Sequence, residues 1–135
     1  PAGRRGLTVS AVCSVTDDPP MLLACINRAS GSHRIFEANG CLCVNVLGAQ
    51  HDALSLRFAN RDVDAQARFS TGQWTRGGTG APVLADALAV FDCRIESVQV
   101  VGTHSVFFCR VLDARRGADA PGLVWFERGF RRVES

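Results

Sequence analysis

The stretch Asn27-Arg28-Ala29-Ser30, followed by Ser32, holds the residue types best suited to gripping an anion. A guanidinium fork and small hydroxyls stand where Ser32 reads as the N-cap of a short helix that Gly40 stops. Orphan helix N–H groups and a charge-assisted fork both aim donors at one place, which suits a phosphate. Thr8, Ser10 and Ser14 add hydroxyls to the run Gly6–Val15, where a plain core strand would carry only Val, Ile or Leu. His104, directly after Gly102-Thr103, places an imidazole at the mouth of an apolar run; His33 stands beside the expected phosphate, and His51 is expected on the surface. No His-Glu-x-x-His, Ser-His-Asp order or Gly-x-Gly-x-x-Gly occurs, so zinc proteolysis, triad hydrolysis and Rossmann-type nucleotide binding are excluded by pattern.

These residues need strands to carry them. Gly6–Val15 and Met21–Asn27 read as a strand pair around the Pro19-Pro20 turn, and Cys41–Leu47 as a buried strand. A second helix starts near Gly48–Asp52 and runs through Ala59, while Asn60–Thr71 reads as loop and helical turn anchored by Phe69. Trp74–Gly80 is glycine-rich but lacks the Gly-Lys-Ser/Thr ending of a phosphate loop, so it reads as a flexible turn. From Ala89 the alternation sets Phe91, Cys93 and Ile95 on one face and Asp92, Arg94 and Glu96 on the other, with a bulge near Glu96-Ser97 where the phase slips. His104–Leu112 is a strand apolar on both faces, Asp113–Gly122 a charged loop, and Leu123–Phe126 a last strand trailing into Phe130.

At 135 residues the chain supports one domain, 1–135, built on a single core. All fifteen basic residues are arginine and the net charge is +2, so a nucleic-acid or lysine-rich membrane footprint is not expected, and no run reaches the roughly 20 apolar residues of a membrane span. The six cysteines, in strand-like runs without Cys-x-x-Cys, read as reduced core thiols of a cytoplasmic chain, and no metal site is expected.

Gly6–Ser14, Asp18–Ser30, Cys43–Leu47, Leu54–Ala59, Gly80–Leu84, Gly102-Thr103-His104 and Leu123–Phe126, in that order, resemble the flavin reductase-like family, the small reductase components of two-component flavin monooxygenases. The resemblance implies a mostly β fold, the FMN-binding split barrel with short helices, here without the helix and strand that family members carry ahead of the Gly-Leu-Thr segment. It also implies FMN or FAD as cofactor, NADH or NADPH as hydride donor, and a monooxygenase component that receives reduced flavin. Strands apolar on both faces in so short a chain point to a homodimer.

By the same resemblance Thr8, Val9, Ser10, Ala11 and Ser14 lie along the flavin ring and ribityl chain, with Ala24 and Cys25 beside them. Arg28, Ala29 and Ser30 meet the phosphate end with His33, and Arg57, Phe58 and Ala59 approach the cofactor. His104 lies near the nicotinamide, although Thr103 stands where relatives have Asp, and Phe130 either stacks near the ring or covers the core. Read as plain residues, Thr and Ser are common on half-exposed strands, Arg57 could pair with Asp52 or Asp62, and His104 could serve only as a strand-start hydrogen-bonder. The alternatives to a reductase are a flavin-binding module without catalysis and an interaction domain whose cofactor site has decayed.

Overall fold

The computed structural model describes residues 2–134 and is dominated by nine strands. Strands β1 (Val12–Asp17) and β2 (Pro20–Asn27) form the expected hairpin through a cis Asp18–Pro19 peptide. Along β2 the two-residue period is clean, with Leu22, Ala24 and Ile26 buried between half-buried neighbours. The first strand is shorter than its apolar pattern predicts: residues 6–11 lie outside the sheet, although the Cys25 N–H still bonds the Ala11 carbonyl at 2.9 Å.

Helix α1 (His33–Asn39) ends on Gly40, whose φ of 69° is a left-handed conformation that glycine adopts without a Cβ penalty. Ser32 occupies the N-cap place but makes no side-chain cap bond, because its backbone is already helical. Then come β3 (Cys41–Val46), a 3₁₀ turn at Ala49–His51, α2 (Asp52–Ala59), a second 3₁₀ turn at Ala67–Ser70, and a short hairpin of β4 (Trp74–Arg76) with β5 (Pro82–Leu84). The long strands β6 (Ala89–Val101) and β7 (His104–Arg116) pair along their whole length, and β8 (Gly122–Phe126) with β9 (Gly129–Val133) closes the chain. The main sheet runs β1-β2-β7-β6-β3. No helix among the described residues is long and apolar enough to cross a membrane.

Several elements depart from the sequence expectation for identifiable reasons. The Trp74–Gly80 turn is not free: its tip is pinned by Asp92, whose carboxylate accepts from the Thr79 N–H at 3.0 Å and hydroxyl at 2.6 Å. Asp92 was expected on the polar face, yet it is buried, because a register shift between Asp92 and Cys93 accompanies the expected one near Ser97. The Asp113–Gly122 loop begins only after Arg116, since its first residues continue β7 in register with Val90 and Ala89. The tail is a strand rather than a trailing end, because Glu127 and Arg128 adopt the two positive φ values that a two-residue hairpin turn requires.

Two apolar clusters fill the barrel. One gathers Leu54, Phe58, Phe69, Val83, Leu84 and Val90 with Trp74 at its edge; the other gathers Leu22, Ile26, Leu42, Cys93, Phe107 and Cys109. The cysteines are free, but only Cys93 and Cys109 are fully buried, and Cys13 is exposed on the edge strand. Burial pushes the Cys43, Cys93 and Cys109 thiols from the ordinary 9.0 up to about 12, with further help for Cys43 from Asp92 and for Cys93 chiefly from Cys109. Because the folded chain holds these protons more tightly, stability from this source is complete below about pH 9 and falls as pH rises toward 12, where unfolded thiols ionise first. Urea titrations from pH 8 to 11 should show that loss. Iodoacetamide at pH 8 should label Cys13 and leave Cys93 and Cys109 intact by mass spectrometry.

Candidate functional site

A groove of about 720 Å³ opens between the two clusters. Ala24 and Ile26 of β2 and Leu42 and Val44 of β3 line it, with Ser55, Phe58 and Ala59 of α2, and the segment Gly6–Ser10 forms a further wall. At its end stand Trp125 of β8 and Phe130 of β9, stacked edge to face with centroids 4.9 Å apart. Thr8, Val9, Ser10, Ala24, Phe58, Ala59 and Phe130 are thus brought together in one place.

The wall made by residues 6–10 is unusual in its backbone. The Thr8 hydroxyl is spent on the Ser55 carbonyl at 2.5 Å, so it anchors the segment to α2. The backbone N–H groups of Thr8, Val9 and Ser10 have no acceptor among the described residues, and the Ser10 hydroxyl is likewise unspent. These three residues are exposed, so their N–H groups face solvent and are open to a ligand's acceptor edge.

Arg28, Ala29 and Ser30 gather elsewhere, at the end of β2 beside the β6–β7 turn. Arg28 Nη1 donates to the Gly102 carbonyl at 3.3 Å and its N–H to the Thr103 carbonyl at 2.9 Å, while the rest of its fork has no partner among the described residues. The Asn27 side chain accepts from the Ala29 N–H at 2.9 Å. His104 is the register partner of Asn27, is exposed, and has Nδ1 2.8 Å from the Thr103 hydroxyl. Thr103 therefore supplies the imidazole with a hydrogen-bonding neighbour. Ala11 and Cys25, joined by their backbone bond, are not among the groove's lining residues, although their chain neighbours Ser10, Val12, Ala24 and Ile26 are; Ser14 is exposed on β1, opposite Leu22.

Two expected residues face other tasks. His33 turns inward, its ring edge-on to Phe107 at 5.2 Å and its Nδ1 3.1 Å from Glu37. Arg57 pairs with neither Asp52 nor Asp62: its Nη2 donates to the Ala67 carbonyl at 2.6 Å and to the Ser70 hydroxyl at 2.9 Å, tying α2 to the second 3₁₀ turn. His51, expected on the surface, is buried, with Nδ1 accepting from the Gly48 N–H at 2.9 Å and Nε2 3.0 Å from Asp86. Among the groove residues that sequence reasoning did not single out, Ile26, Leu42, Val44 and Ser55 carry no distinguishing signal, whereas the pairing of Trp125 with Phe130 across a tight turn was an available one.

A split barrel with an apolar groove, a wall of free donors and a separate basic corner is the architecture of a flavin-binding domain. The description of the flavin reductase like domain matches residues 1–134, and the chain belongs to that family. It is 50% identical over 133 residues to the FMN reductase (NADH) RutF of Variovorax paradoxus, covering 98% of this chain and 73% of that protein. An NADH:FAD oxidoreductase of Streptomyces globisporus, solved with NAD and FAD fragments, superposes with a TM-score of 0.88 at 32% identity, covering 96% of this chain and 77% of that one. The flavin reductase component of a bacterial two-component tryptophan halogenase superposes at 0.87 with 33% identity, covering 93% and 79%.

The inward orientation of His33 separates packing from binding. His33→Ala removes an aromatic contact to Phe107 and should lower the melting temperature by several degrees, consistent with about 1 kcal/mol for such a pair. Flavin affinity, read by fluorescence quenching, should stay within about two-fold of the wild type.

Proposed function

We propose that this chain is an NADH-dependent FMN reductase whose flavin ring lies against Thr8, Val9 and Ser10, with its phosphate at Arg28, Ala29 and Ser30. The run of unspent N–H donors beside an apolar groove carries this reading, because an isoalloxazine has flat apolar faces and a polar edge rich in acceptors. Ala24 and Arg28 are four residues apart on and just beyond β2, about 13 Å at strand rise, a span that a ring with an extended ribityl phosphate can cover. Ala11, Ala24 and Cys25 have small side chains that leave room for such a chain. The RutF relative, at 50% identity, supports FMN and NADH as the pair used.

Bound flavin supplies the hydride acceptor and NADH the hydride. The protein's part is alignment: it holds two flat rings in contact, which requires neither a nucleophile nor a metal. His104, exposed at the start of β7 and steadied by Thr103, is placed to orient the donor. Delivery of reduced flavin to a monooxygenase component is supported by the likeness to component B of a mycobacterial nitrilotriacetate monooxygenase, 28% identical with a TM-score of 0.85 over 92% of this chain and 69% of that one. A second copy of the chain is proposed to cover Val100, Val101 and Leu112, which are each more than half exposed.

NADH oxidation followed at 340 nm with FMN present tests the reading; flavin binding without NADH consumption would instead identify a non-catalytic module. Arg28→Ala removes a charge-assisted donor worth about 1.5–3 kcal/mol and should weaken flavin binding by roughly 10- to 150-fold. An unchanged dissociation constant would move the phosphate away from this corner.

His104→Ala should leave flavin affinity within a few-fold and lower kcat/KM for NADH by about 10- to 100-fold, or roughly 1.4 to 2.7 kcal/mol. If the imidazole only bonds the strand start, the melting temperature will fall while the kinetics hold. Both measurements on the one variant decide.

A further inference from the structure

The segment that supplies the free donors is not held by the sheet, so something else must fix it. We infer that Arg68 is a positioning residue for flavin binding, acting from the second 3₁₀ turn through the backbone of Gly6; this rests on the placement of the flavin ring against Thr8–Ser10 proposed above.

Arg68 Nη1 donates to the Gly6 carbonyl at 2.8 Å, and Nη2 donates to the Asn60 carbonyl at 2.9 Å, so one planar fork joins the segment to the loop before it. Two residues earlier, Gln66 Nε2 donates to the Arg4 carbonyl at 3.0 Å. Arg4 in turn places its guanidinium 4.2 Å over the ring of Phe69, the residue next to Arg68. The turn itself is firm: Phe69 is buried against Phe58 and Trp74, Arg57 clamps the Ala67 carbonyl, and Asp64 caps the Gln66 and Ala67 N–H groups.

Gly6 makes the docking close. A Cβ there would lie 2.6 Å from Phe58 Cε1 and 3.2 Å from Phe69 Cζ, so the backbone lies flat on the aromatic pair and any side chain would lift it. Arg68 therefore sets the height and direction of the strand-like run two residues before Thr8. Loss of its fork frees that run while α2 still holds the Thr8 hydroxyl, so flavin binding should suffer more than the fold.

The test uses the full chain with Arg68→Ala, Arg68→Lys and Gln66→Ala. FMN dissociation constants come from fluorescence quenching, and the flavin-free proteins are exposed to trypsin, with cleavage after Arg5 followed by mass spectrometry. Arg68→Ala should raise the FMN dissociation constant about 10-fold or more and speed cleavage after Arg5. Gln66→Ala should move both in the same direction by less, and Arg68→Lys should recover part of each. The flavin KM should rise while kcat at saturating flavin and the KM for NADH stay within about three-fold. Unchanged FMN affinity with wild-type cleavage, or unchanged affinity despite faster cleavage, overturns the role of Arg68. A fall in every kinetic parameter together with the melting temperature, with no excess at flavin, also overturns it in favour of plain structural support. A wild-type chain that binds no FMN overturns the proposed function, and the positioning role with it, whereas the trypsin result still reports whether Arg68 holds the segment.

Discussion

Everything in this barrel leans on the contact between β2 and β7, where Ala24 faces Phe107 in register. Phe107 is fully buried and Ala24 nearly so, a small residue opposite a large one, and the ring fills the space the methyl leaves. Truncating such a phenyl group costs about 3–5 kcal/mol, a large share of a small domain's total stability. The same pair serves the groove, because Ala24 lines it and Phe107 is the cross-strand partner beside it on β7. A larger residue at position 24 would close the slot and crowd the core together.

The groove has walls of two kinds. The sheet walls are held by continuous ladders and by alternating apolar faces, so they are set by many small contributions. The opposite wall, residues 6–10, is held from α2 and the 60–70 loop: the Thr8 hydroxyl donates to the Ser55 backbone carbonyl, Arg68 donates through its fork to Gly6, and Phe58 and Phe69 lie against Gly6. That division leaves a continuous sheet on one side of the groove and a separately anchored segment on the other. It also explains why the donors on this wall are free, since a segment paired in a sheet would have spent them.

The elements most legible in the sequence were those with local signals. The Met21–Asn27 strand, the Gly40 stop, the bulge near Ser97 and the Gly102-Thr103 turn all depend on residues within one or two turns of each other, and all are present. What escaped depended on distant partners. Asp92 looked solvent-facing because nothing nearby in sequence hints at Thr79, and His51 looked superficial because its partners, Gly48 and Asp86, come from two loops. Arg57 and Arg68 are similar on paper; only the fold shows one clamping Ala67 and the other Gly6. Of the expected site, the seven groove residues converge, and Arg28, Ala29, Ser30 and His104 form their own corner. His33 and Arg57 were drawn to nearer partners, an aromatic ring and a turn, that spacing alone does not reveal.

The strand order β1-β2-β7-β6-β3 also governs the time course of folding. The β6–β7 hairpin is the one long pairing between sequence neighbours; β2 must find β7, and β3 must find β6, across much of the chain. Contacts so far apart in sequence pay loop-closure entropy before they gain anything, which slows folding relative to a protein of local contacts. On the ribosome the β6–β7 hairpin emerges late, so the edge of β2 stays unpaired until β7 has been made. During synthesis that unpaired edge is a template on which another chain can pair, until β7 takes its place.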